Sequence, residues 1–229
     1  MYIKATNSTN SLMKEMLAKG EWPEGERFLY TGYQTAGRGQ TGNSWESEAD
    51  KNLLCSILLP PNKNLYFLNI AVGVAIIRLI SEPLTIKWPN DIYWRDKKLA
   101  GILVENAIIG NEVKYSIAGI GLNLNQTEFV SEAPNPVSLK QITGKEYDIE
   151  RLMSLLFETV QSVLNESEQE VWTYYKAHLY RREGWYPFED KNGTFEARIS
   201  DVLPTGEIIL CDRQGKEQKY HFKQVRYVI

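Results

Sequence analysis

The chain has 229 residues, of which 43% are hydrophobic, an ordinary combination for a globular protein with a substantial buried core. Its formal net charge is −3 and it has no long run of Lys or Arg, so it lacks the electrostatic footprint of a nucleic-acid-binding protein, and DNA and RNA are set aside as partners. Its two cysteines lie far apart and outside any C-x-x-C pair, which argues against a disulfide framework or a structural zinc site.

The N-terminal segment, MYIKATNSTN, has no basic stretch followed by an apolar run, so we interpret it as mature protein without a signal peptide. The most apolar window, 65–80, is shorter than the roughly 20 residues that a bilayer span needs, and it contains Asn69 and Arg78. We therefore expect a cytoplasmic chain with no membrane partner, and a buried core helix over this window.

The first part of the sequence predicts a helix, two strands and the core helix. Residues 8–19 carry apolar side chains at helical spacing, with a Ser/Thr/Asn cluster to cap the start and Gly20 to end the helix. Extended runs follow over 27–33 and 52–59, separated by a glycine-rich loop. The core helix at 65–80 comes next.

The middle of the sequence predicts a hairpin, a further strand and a helix. Short strands are expected at 84–88 and 92–94, and a charged turn leads from the second of them into an extended run at 99–106. Another strand-like stretch covers 113–124. After a loop with Pro134 and Pro136, apolar residues at helical spacing predict a helix over 148–164. This mixture indicates an α+β fold built on a mixed sheet.

Short alternating strands and turn dipeptides dominate the sequence from about Tyr186 onward. The predicted strands are 194–202, 207–211 and 219–228. A segment of this size and texture predicts a small β-barrel. Because the sequence contains neither an internal repeat nor a low-complexity linker, we expect two packed domains, 1–185 and 186–229.

The first candidate functional segment is the glycine-rich loop from Gly37 to Trp45, GRGQTGNSW. Its glycines allow backbone N–H groups to approach a phosphate, while Arg38 offers a phosphate clamp and Trp45 an aromatic face. The loop matches G-x-G-x-x-G, but a strand and two prolines follow it instead of the helix of a dinucleotide-binding unit. Asn43 stands where a Walker loop needs lysine. A plain surface turn stays an alternative.

Three further segments place polar residues at strand ends or beside small residues. They are KWPND at 87–91, KLAG at 98–101 and GIGLN at 119–123. Each also has an ordinary structural interpretation: a turn capped by its own Asn90 and Asp91, a solvated hairpin lysine, and a tightly packed strand. None of the three indicates a function by itself.

Together, in order and spacing, these segments resemble the biotin protein ligases, and the resemblance extends from Ser8 to the C-terminus. The matching stretches are Ser8-Thr9-Asn10, YQTAGRG at 33–39 continuing through Trp45 and Ser47, KWPND at 87–91, KLAGILVE at 98–105 and GIGLN at 119–123. The resemblance implies an α/β catalytic domain of the biotin/lipoate ligase type followed by a small C-terminal SH3-like β-barrel. It also implies ATP-dependent biotinylation of a lysine on a biotin carboxyl carrier protein, through biotinyl-5′-AMP and with release of pyrophosphate.

Biotin has an apolar body, a ureido head and a carboxylate tail, so its pocket needs mostly apolar walls and a few placed polar groups. The implied biotin-site residues are Ser8, Thr9 and Gln34 at the ureido head, with Gly37, Arg38, Lys98 and Gly101 along the rest. Catalytic roles are expected for Arg38 and Lys98, whose positive charges would let the biotin carboxylate attack the α-phosphate of ATP. Asp91 is expected to orient a lysine or the acceptor amine.

The resemblance also implies a set of residues on the nucleotide side of the site. They are Gly39, Gly42, Trp45, Lys87, Asn90 and Asn123. Trp45 would cover the adenine, and the glycine-rich loop would close over the water-sensitive adenylate. ATP is expected to carry Mg²⁺, because triphosphate charge needs neutralising, but the sequence contains no dedicated carboxylate cage and no metal ligand is assigned.

Two regions depart from the family pattern. Gln40 stands in place of the second arginine that is frequent in GRGR, and Thr41 and Asn43 replace the basic residue that follows. A less cationic loop would retain the adenylate less tightly. Near the C-terminus Gln224 stands where the family usually has glutamate, and Arg226 is not identified as the family's nucleotide-contacting residue.

Three alternatives stay open. A lipoate or octanoate protein ligase shares the fold and the adenylate chemistry, although the GRG loop with Trp45 and the KWPND segment favour biotin. A biotin-responsive repressor would need a helix-turn-helix before Met1, so a stand-alone ligase without a DNA-binding domain is expected. The third alternative is a non-catalytic biotin-binding module, which would be supported if Lys98→Ala and Arg38→Ala left the activity unchanged. A homodimer is compatible with the sequence.

Overall fold

The computed structural model describes residues 1–40, 42–62, 64–130 and 135–229, so Thr41 and Pro134 lie outside the described residues. The strands are β1 (Tyr2–Thr6), β2 (Phe28–Gln34), β3 (Leu53–Leu59), β4 (Leu84–Lys87), β5 (Asp91–Trp94), β6 (Lys97–Ile109), β7 (Glu112–Leu122), β8 (Tyr186–Asp190), β9 (Gly193–Val202), β10 (Ile208–Asp212), β11 (Glu217–Tyr220) and β12 (Val225–Tyr227). The helices are α1 (Thr9–Lys19), α2 (Leu65–Leu79), α3 (Leu139–Thr143), α4 (Ile149–Leu164) and α5 (Glu168–Ala177).

Within the described ranges, β1 to β7 form a mixed sheet in the order β1-β2-β3-β7-β6-β5-β4. The pair β1 and β2 is parallel, and the other neighbouring pairs of this sheet are antiparallel. The apolar run of β3, LLCSILL, is almost entirely buried because elements cover the sheet on both faces. The turn between β5 and β6 closes the predicted hairpin, with Arg95 in the left-handed region at φ 53°.

The predicted core helix is confirmed as α2, which is apolar around its whole circumference. It packs against β4, β5 and β6 on one side and against α4 and α5 on the other, so no face of its central turns meets water. Asn64 caps its first turn by accepting a hydrogen bond from the backbone N–H of Phe67. Among the described residues, no helix combines the length and apolar character that crossing a membrane requires.

The C-terminal strands form a second, antiparallel sheet in the order β11-β10-β9-β8-β12, which is consistent with the predicted SH3-like domain. Phe188 and Tyr227 pack with ring centroids 4.9 Å apart inside it. One continuous buried core joins the two sheets, and the Trp88 indole N–H donates to the Gly206 carbonyl at 2.9 Å. The division into domains at 185/186 stays a prediction.

Several elements differ from the sequence-based expectation. The elements that the sequence pattern did not predict are β1, α3, α5 and β8. The strand expected over 219–228 was wrong as a single element, because it is two strands that pair with different partners, β10 and β8. A turn separates them, in which Gln224 N–H donates to the His221 carbonyl and Lys223 adopts a φ of 66°.

Candidate functional site

A cavity of about 300 Å³ lies where the start of α1, the glycine-rich loop, strands β5 to β7 and the last turn of the chain meet. That volume is at the lower end of the range for sites that hold small organic ligands. The predicted site residues that line it are Ser8, Thr9, Gln34, Arg38, Gly39, Trp45, Lys87, Asn90, Asp91, Lys98 and Gly101. The structure thus brings together predicted residues from four separate stretches of the chain, 8–9, 34–45, 87–91 and 98–101.

Three predicted residues are not among the described residues that line the cavity: Gly37, Gly42 and Asn123. Gly37 and Gly42 belong to the backbone of the glycine-rich loop. Asn123 is 3% exposed, and its side-chain amide donates to the Val137 carbonyl at 3.1 Å. In this arrangement Asn123 anchors the segment before α3, and its role in nucleotide binding stays a prediction.

The described residues on either side of Thr41 in the glycine-rich loop pair as the two arms of a short antiparallel hairpin over one side of the cavity. Its two arms are joined by hydrogen bonds from Gly39 N–H to the Asn43 carbonyl and from Trp45 N–H to the Gly37 carbonyl, each 2.9 Å long. Gly42 adopts a φ of 87°, a conformation that side-chain-bearing residues rarely accept. No dinucleotide-binding helix follows in the described residues 42–62, since the chain continues into β3.

The Trp45 ring lies directly on the backbone of the central sheet. Gly101 and Gly121 are register partners on β6 and β7. A Cβ at Gly121 would stand 2.3 Å from Trp45 Cε2, and one at Gly101 would stand 3.0 Å from Trp45 Cζ3. Both glycines are therefore required by the close approach of the indole. The sequence suggested only a ligand edge or tight packing for Gly121.

The two predicted catalytic cations are each held by a carboxylate. Lys98 Nζ lies 2.8 Å from the Asp91 carboxylate and 5.6 Å from the centre of the Trp45 ring. Arg38 lies 2.6 Å from the carboxylate of Glu105, which the sequence did not single out. Both pairs are partly exposed, so each contributes little to folding and can exchange its partner for an anionic ligand at modest cost.

Lys87 occupies a different environment, between two tyrosine rings. Its Nζ lies 5.1 Å from the centre of the Tyr93 ring and 5.0 Å from that of Tyr227. Burial is the largest cause that lowers the pKa of Lys87 from its ordinary value. The Asp91 charge opposes this lowering of the pKa, whereas Lys98 adds to it. Lys87 is a cation that faces the cavity with little charge compensation.

Asn10, which lines the cavity, belongs to a buried polar network. The Asn10 side-chain amide donates to the Leu103 carbonyl at 3.2 Å and to Glu105 at 2.8 Å, and its oxygen accepts from the Ser56 hydroxyl at 2.6 Å. Sequence reasoning assigned no role to these residues, although Asn10 lies in the matching Ser8-Thr9-Asn10 stretch and both Leu103 and Glu105 lie in KLAGILVE; Ser56 was missed altogether. The network links α1 to β3 and β6, and through Glu105 it reaches Arg38.

Replacing Asn10 by alanine is expected to lower the free energy of unfolding by about 2 kcal/mol, because the Ser56 hydroxyl and the Leu103 carbonyl would lose a buried partner. Thermal unfolding followed by circular dichroism should show a decrease of about 4–8 °C in the midpoint. Ser11→Ala, at the next position of α1, is the control and should leave the midpoint nearly unchanged. Equal midpoints for both variants would show that the network contributes nothing to stability.

The turn before β12 and β12 itself supply cavity residues that the sequence did not assign: Phe222, Lys223, Val225, Arg226 and Tyr227. Arg226 pairs with Glu189 at 2.7 Å and is largely exposed.

The side-chain amide of Gln40, which stands in place of the family's frequent arginine, lines the cavity. Its oxygen is buried without a hydrogen-bond partner among the described residues. The part of the chain that the structure describes contains no group of three or more His, Cys, Asp or Glu side chains that could hold a metal ion.

Comparison with known proteins relates this fold and site to one family. The model of the biotin/lipoate A/B protein ligase family matches residues 2–123. The bifunctional ligase/repressor BirA of Bacillus subtilis is 34% identical over 158 residues, which are 65% of this chain and 48% of that protein. A biotin acetyl-CoA-carboxylase ligase of Paracoccus denitrificans is 31% identical over 163 residues, 66% of this chain and 67% of that protein. The chain spans about half the length of BirA.

Solved structures show the same fold over the whole chain. Biotin protein ligase from Aquifex aeolicus in complex with biotin and ATP superposes with a TM-score of 0.79 at 24% identity and covers 100% of this chain and 98% of its own. This similarity confirms the predicted α+β fold of the biotin/lipoate ligase type. Since the family model matches more than half of the sequence, the chain belongs to the biotin/lipoate A/B protein ligase family.

Proposed function

We propose that this chain is a biotin protein ligase that uses ATP to convert biotin into biotinyl-5′-AMP, releases pyrophosphate and transfers biotin to a lysine of a biotin carboxyl carrier protein. The observation that carries the proposal is the convergence of Arg38, Lys87 and Lys98 on one cavity, beside a glycine-rich hairpin that places Trp45 on the sheet. The comparison structures support it, since ligases from other organisms are bound to biotin and ATP or to biotinyl-5-AMP.

The cations would serve the first step. A biotin carboxylate oxygen attacks the α-phosphorus of ATP while the bond from that phosphorus to the bridging oxygen breaks, and pyrophosphate leaves with the electron pair. Both reactants are anions, so positive charges at the reacting centre lower the barrier by offsetting their repulsion. Arg38 and Lys98 are already paired to carboxylates, and the substrate anions would take the place of Glu105 and Asp91.

The polar end of the cavity fits the ureido head of biotin. The Gln34 side-chain oxygen accepts from the Thr9 backbone N–H at 2.8 Å and from the Thr9 hydroxyl at 3.2 Å. Because a backbone N–H can only donate, this contact fixes the orientation of the Gln34 amide and leaves its NH₂ group to donate. That group and the buried Ser8 hydroxyl would hold the ureido carbonyl and N–H groups.

Transfer would follow at the same place. The neutral amine of the acceptor lysine attacks the acyl carbon of the adenylate, the bond from that carbon to the phosphate oxygen breaks, AMP leaves with the electron pair, and the amine releases a proton to solvent. Asp91, released from Lys98 by the substrate, would orient the incoming amine. The carrier-protein acceptor, Mg²⁺ bound to ATP, the cytoplasmic location, the stand-alone form, the absence of a DNA or membrane partner and a homodimer all stay predictions.

Exchange of labelled pyrophosphate into ATP by the purified protein tests the proposal. We expect exchange with biotin and none with lipoate, octanoate or no acid, because only the correct acid forms an adenylate that pyrophosphate can reverse. Exchange with lipoate or octanoate alone would place the chain with the lipoate-type ligases of its family. If no acid supports exchange while calorimetry detects biotin binding, the chain is a binding module and the proposed activity is wrong.

A further inference from the structure

Lys87 has an unusual set of neighbours for a cation at an active site. It ends β4, and its ammonium lies between the ring of Tyr93 on β5 and the ring of Tyr227 on β12. Among the residues that the structure describes, no carboxylate lies within ion-pair distance of Lys87, although Asp91 pairs with Lys98 nearby. The contacts that the structure shows for this ammonium are therefore with the faces of the Tyr93 and Tyr227 rings.

The two rings are themselves held firmly. Tyr93 is 2% exposed, and its ring packs against Tyr180 with a centroid distance of 5.2 Å. Tyr227 packs against Phe188 at 4.9 Å and against Tyr180 at 5.7 Å. The Tyr227 hydroxyl is buried and has no hydrogen-bond partner among the described residues, so the contribution of this side chain lies in its ring.

We propose that Tyr93 and Tyr227 are positioning residues that hold the Lys87 ammonium toward the cavity with their ring faces, and that Tyr227 thereby makes the C-terminal sheet part of the nucleotide site. The inference rests on the proposed function, because it assigns Lys87 to the phosphates of ATP. A ring attracts a cation through its quadrupole, and the attraction is stronger when the cation is desolvated, as it is here.

The chemistry explains why rings suit this position better than a carboxylate. A carboxylate beside Lys87 would neutralise the charge that an incoming phosphate needs, and ATP would have to displace it. Ring faces fix the position of the ammonium and leave its full positive charge available. Lys87 is thus prepared for the nucleotide before ATP binds, whereas Arg38 and Lys98 must first release Glu105 and Asp91.

A fluorinated phenylalanine series at Tyr227 tests the inference with little change in side-chain volume. Tyr227→Phe removes only the unpartnered hydroxyl and keeps the ring, so it is the reference against which the other members of the series are compared. Progressive fluorination of that phenylalanine weakens the ring quadrupole. We expect kcat/KM for ATP in pyrophosphate exchange to fall stepwise, by about 3-fold to 30-fold over the series, while KM for biotin stays constant.

Two controls separate positioning from structural support. The same fluorination at Phe195, which lies in β9 of the same sheet, stacks on Tyr220 at 6.0 Å and does not line the cavity, should leave kcat/KM for ATP unchanged. In a Lys87→Met background, the dissociation constant of ATP measured by calorimetry should no longer depend on fluorination at Tyr227. Thermal midpoints within each series should agree.

The outcomes distinguish this inference from the proposed function. A parent protein that exchanges pyrophosphate, combined with a flat fluorination series at Tyr227, would overturn the inference alone. An equal loss with Lys87 present and absent would also overturn it, because the ring would then act through another group. A parent protein without exchange for any acid would overturn the proposed function, whatever the series shows in ATP binding.

Discussion

Lys98→Met is expected to lower the rate of biotin-dependent pyrophosphate exchange by about two to three orders of magnitude, the usual effect of removing one preorganised charge-stabilising group from an active site. Lys98 lies in the cavity, beside Asp91 at 2.8 Å and close to the Trp45 ring. Methionine retains the length of the side chain but removes the ammonium. The effect should fall on kcat, because the charge is needed most as two anions approach each other.

Lys97→Met is the matched control for this prediction. Lys97 is the preceding residue of β6, is exposed and does not line the cavity, so its loss should change the exchange rate less than twofold. The Lys98 backbone also bonds the 135–137 segment, and those bonds survive either substitution. The partly exposed Lys98–Asp91 pair contributes less than about 1 kcal/mol to folding, so both variants should unfold near the temperature of the parent protein. Equal exchange rates for the two variants would refute the assignment of Lys98.

Gly121→Ala is expected to lower the exchange rate by about 10-fold to 100-fold through displacement of Trp45. The added Cβ would stand 2.3 Å from the indole, closer than nonbonded atoms approach, so the ring and the hairpin that carries it must shift. Displacements of about an ångström at a reacting site cost up to roughly 100-fold in rate. Steady-state exchange and Trp fluorescence, recorded on the same samples, would report the activity and the environment of the indole.

A Trp45→Ala background shows whether Gly121 acts through the ring. If the glycine serves only to admit the indole, adding Gly121→Ala to Trp45→Ala should cause no further loss of activity. Gly73→Ala, in the core helix α2, is a control for glycine replacement in general, since its Cβ would lie 3.4 Å from the Ile86 side chain. Additive losses from Trp45 and Gly121 would mean that the alanine disturbs the sheet itself.

These substitutions separate two contributions to the site. Lys98 supplies charge, and its environment is built by neighbours within β5 and β6. Gly121 supplies space, and the residue that uses this space comes from a hairpin far away in the chain. The Tyr227 series adds a third contribution, the position of a charge, which comes from the C-terminal sheet.

Much of the secondary structure follows from local patterns. Helix α2 was predictable because only Asn69 and Arg78 interrupt its apolar run, and α4 because its apolar residues recur at helical spacing. Strand β1 was not, because it lies at the edge of the sheet with mostly exposed side chains and gains its conformation from pairing with β2. The residues of β8, Tyr186–Asp190, have no local pattern that marks them as a separate strand. The break after Tyr220 likewise has no turn signal strong enough to interrupt the strand pattern around it.

The segments that carry Arg38, Lys87, Asp91 and Lys98 were expected to meet at one site because together they resemble the biotin protein ligases, although each segment alone also had an ordinary structural interpretation. The contacts that these residues make follow from how distant segments pack in the folded chain. The Asn10 amide reaches Ser56, 46 residues away, and Glu105, 95 residues away, while Trp45 rests on Gly121 and Tyr227 covers Lys87. Such contacts depend on strand register and sheet packing, which local residue patterns do not encode.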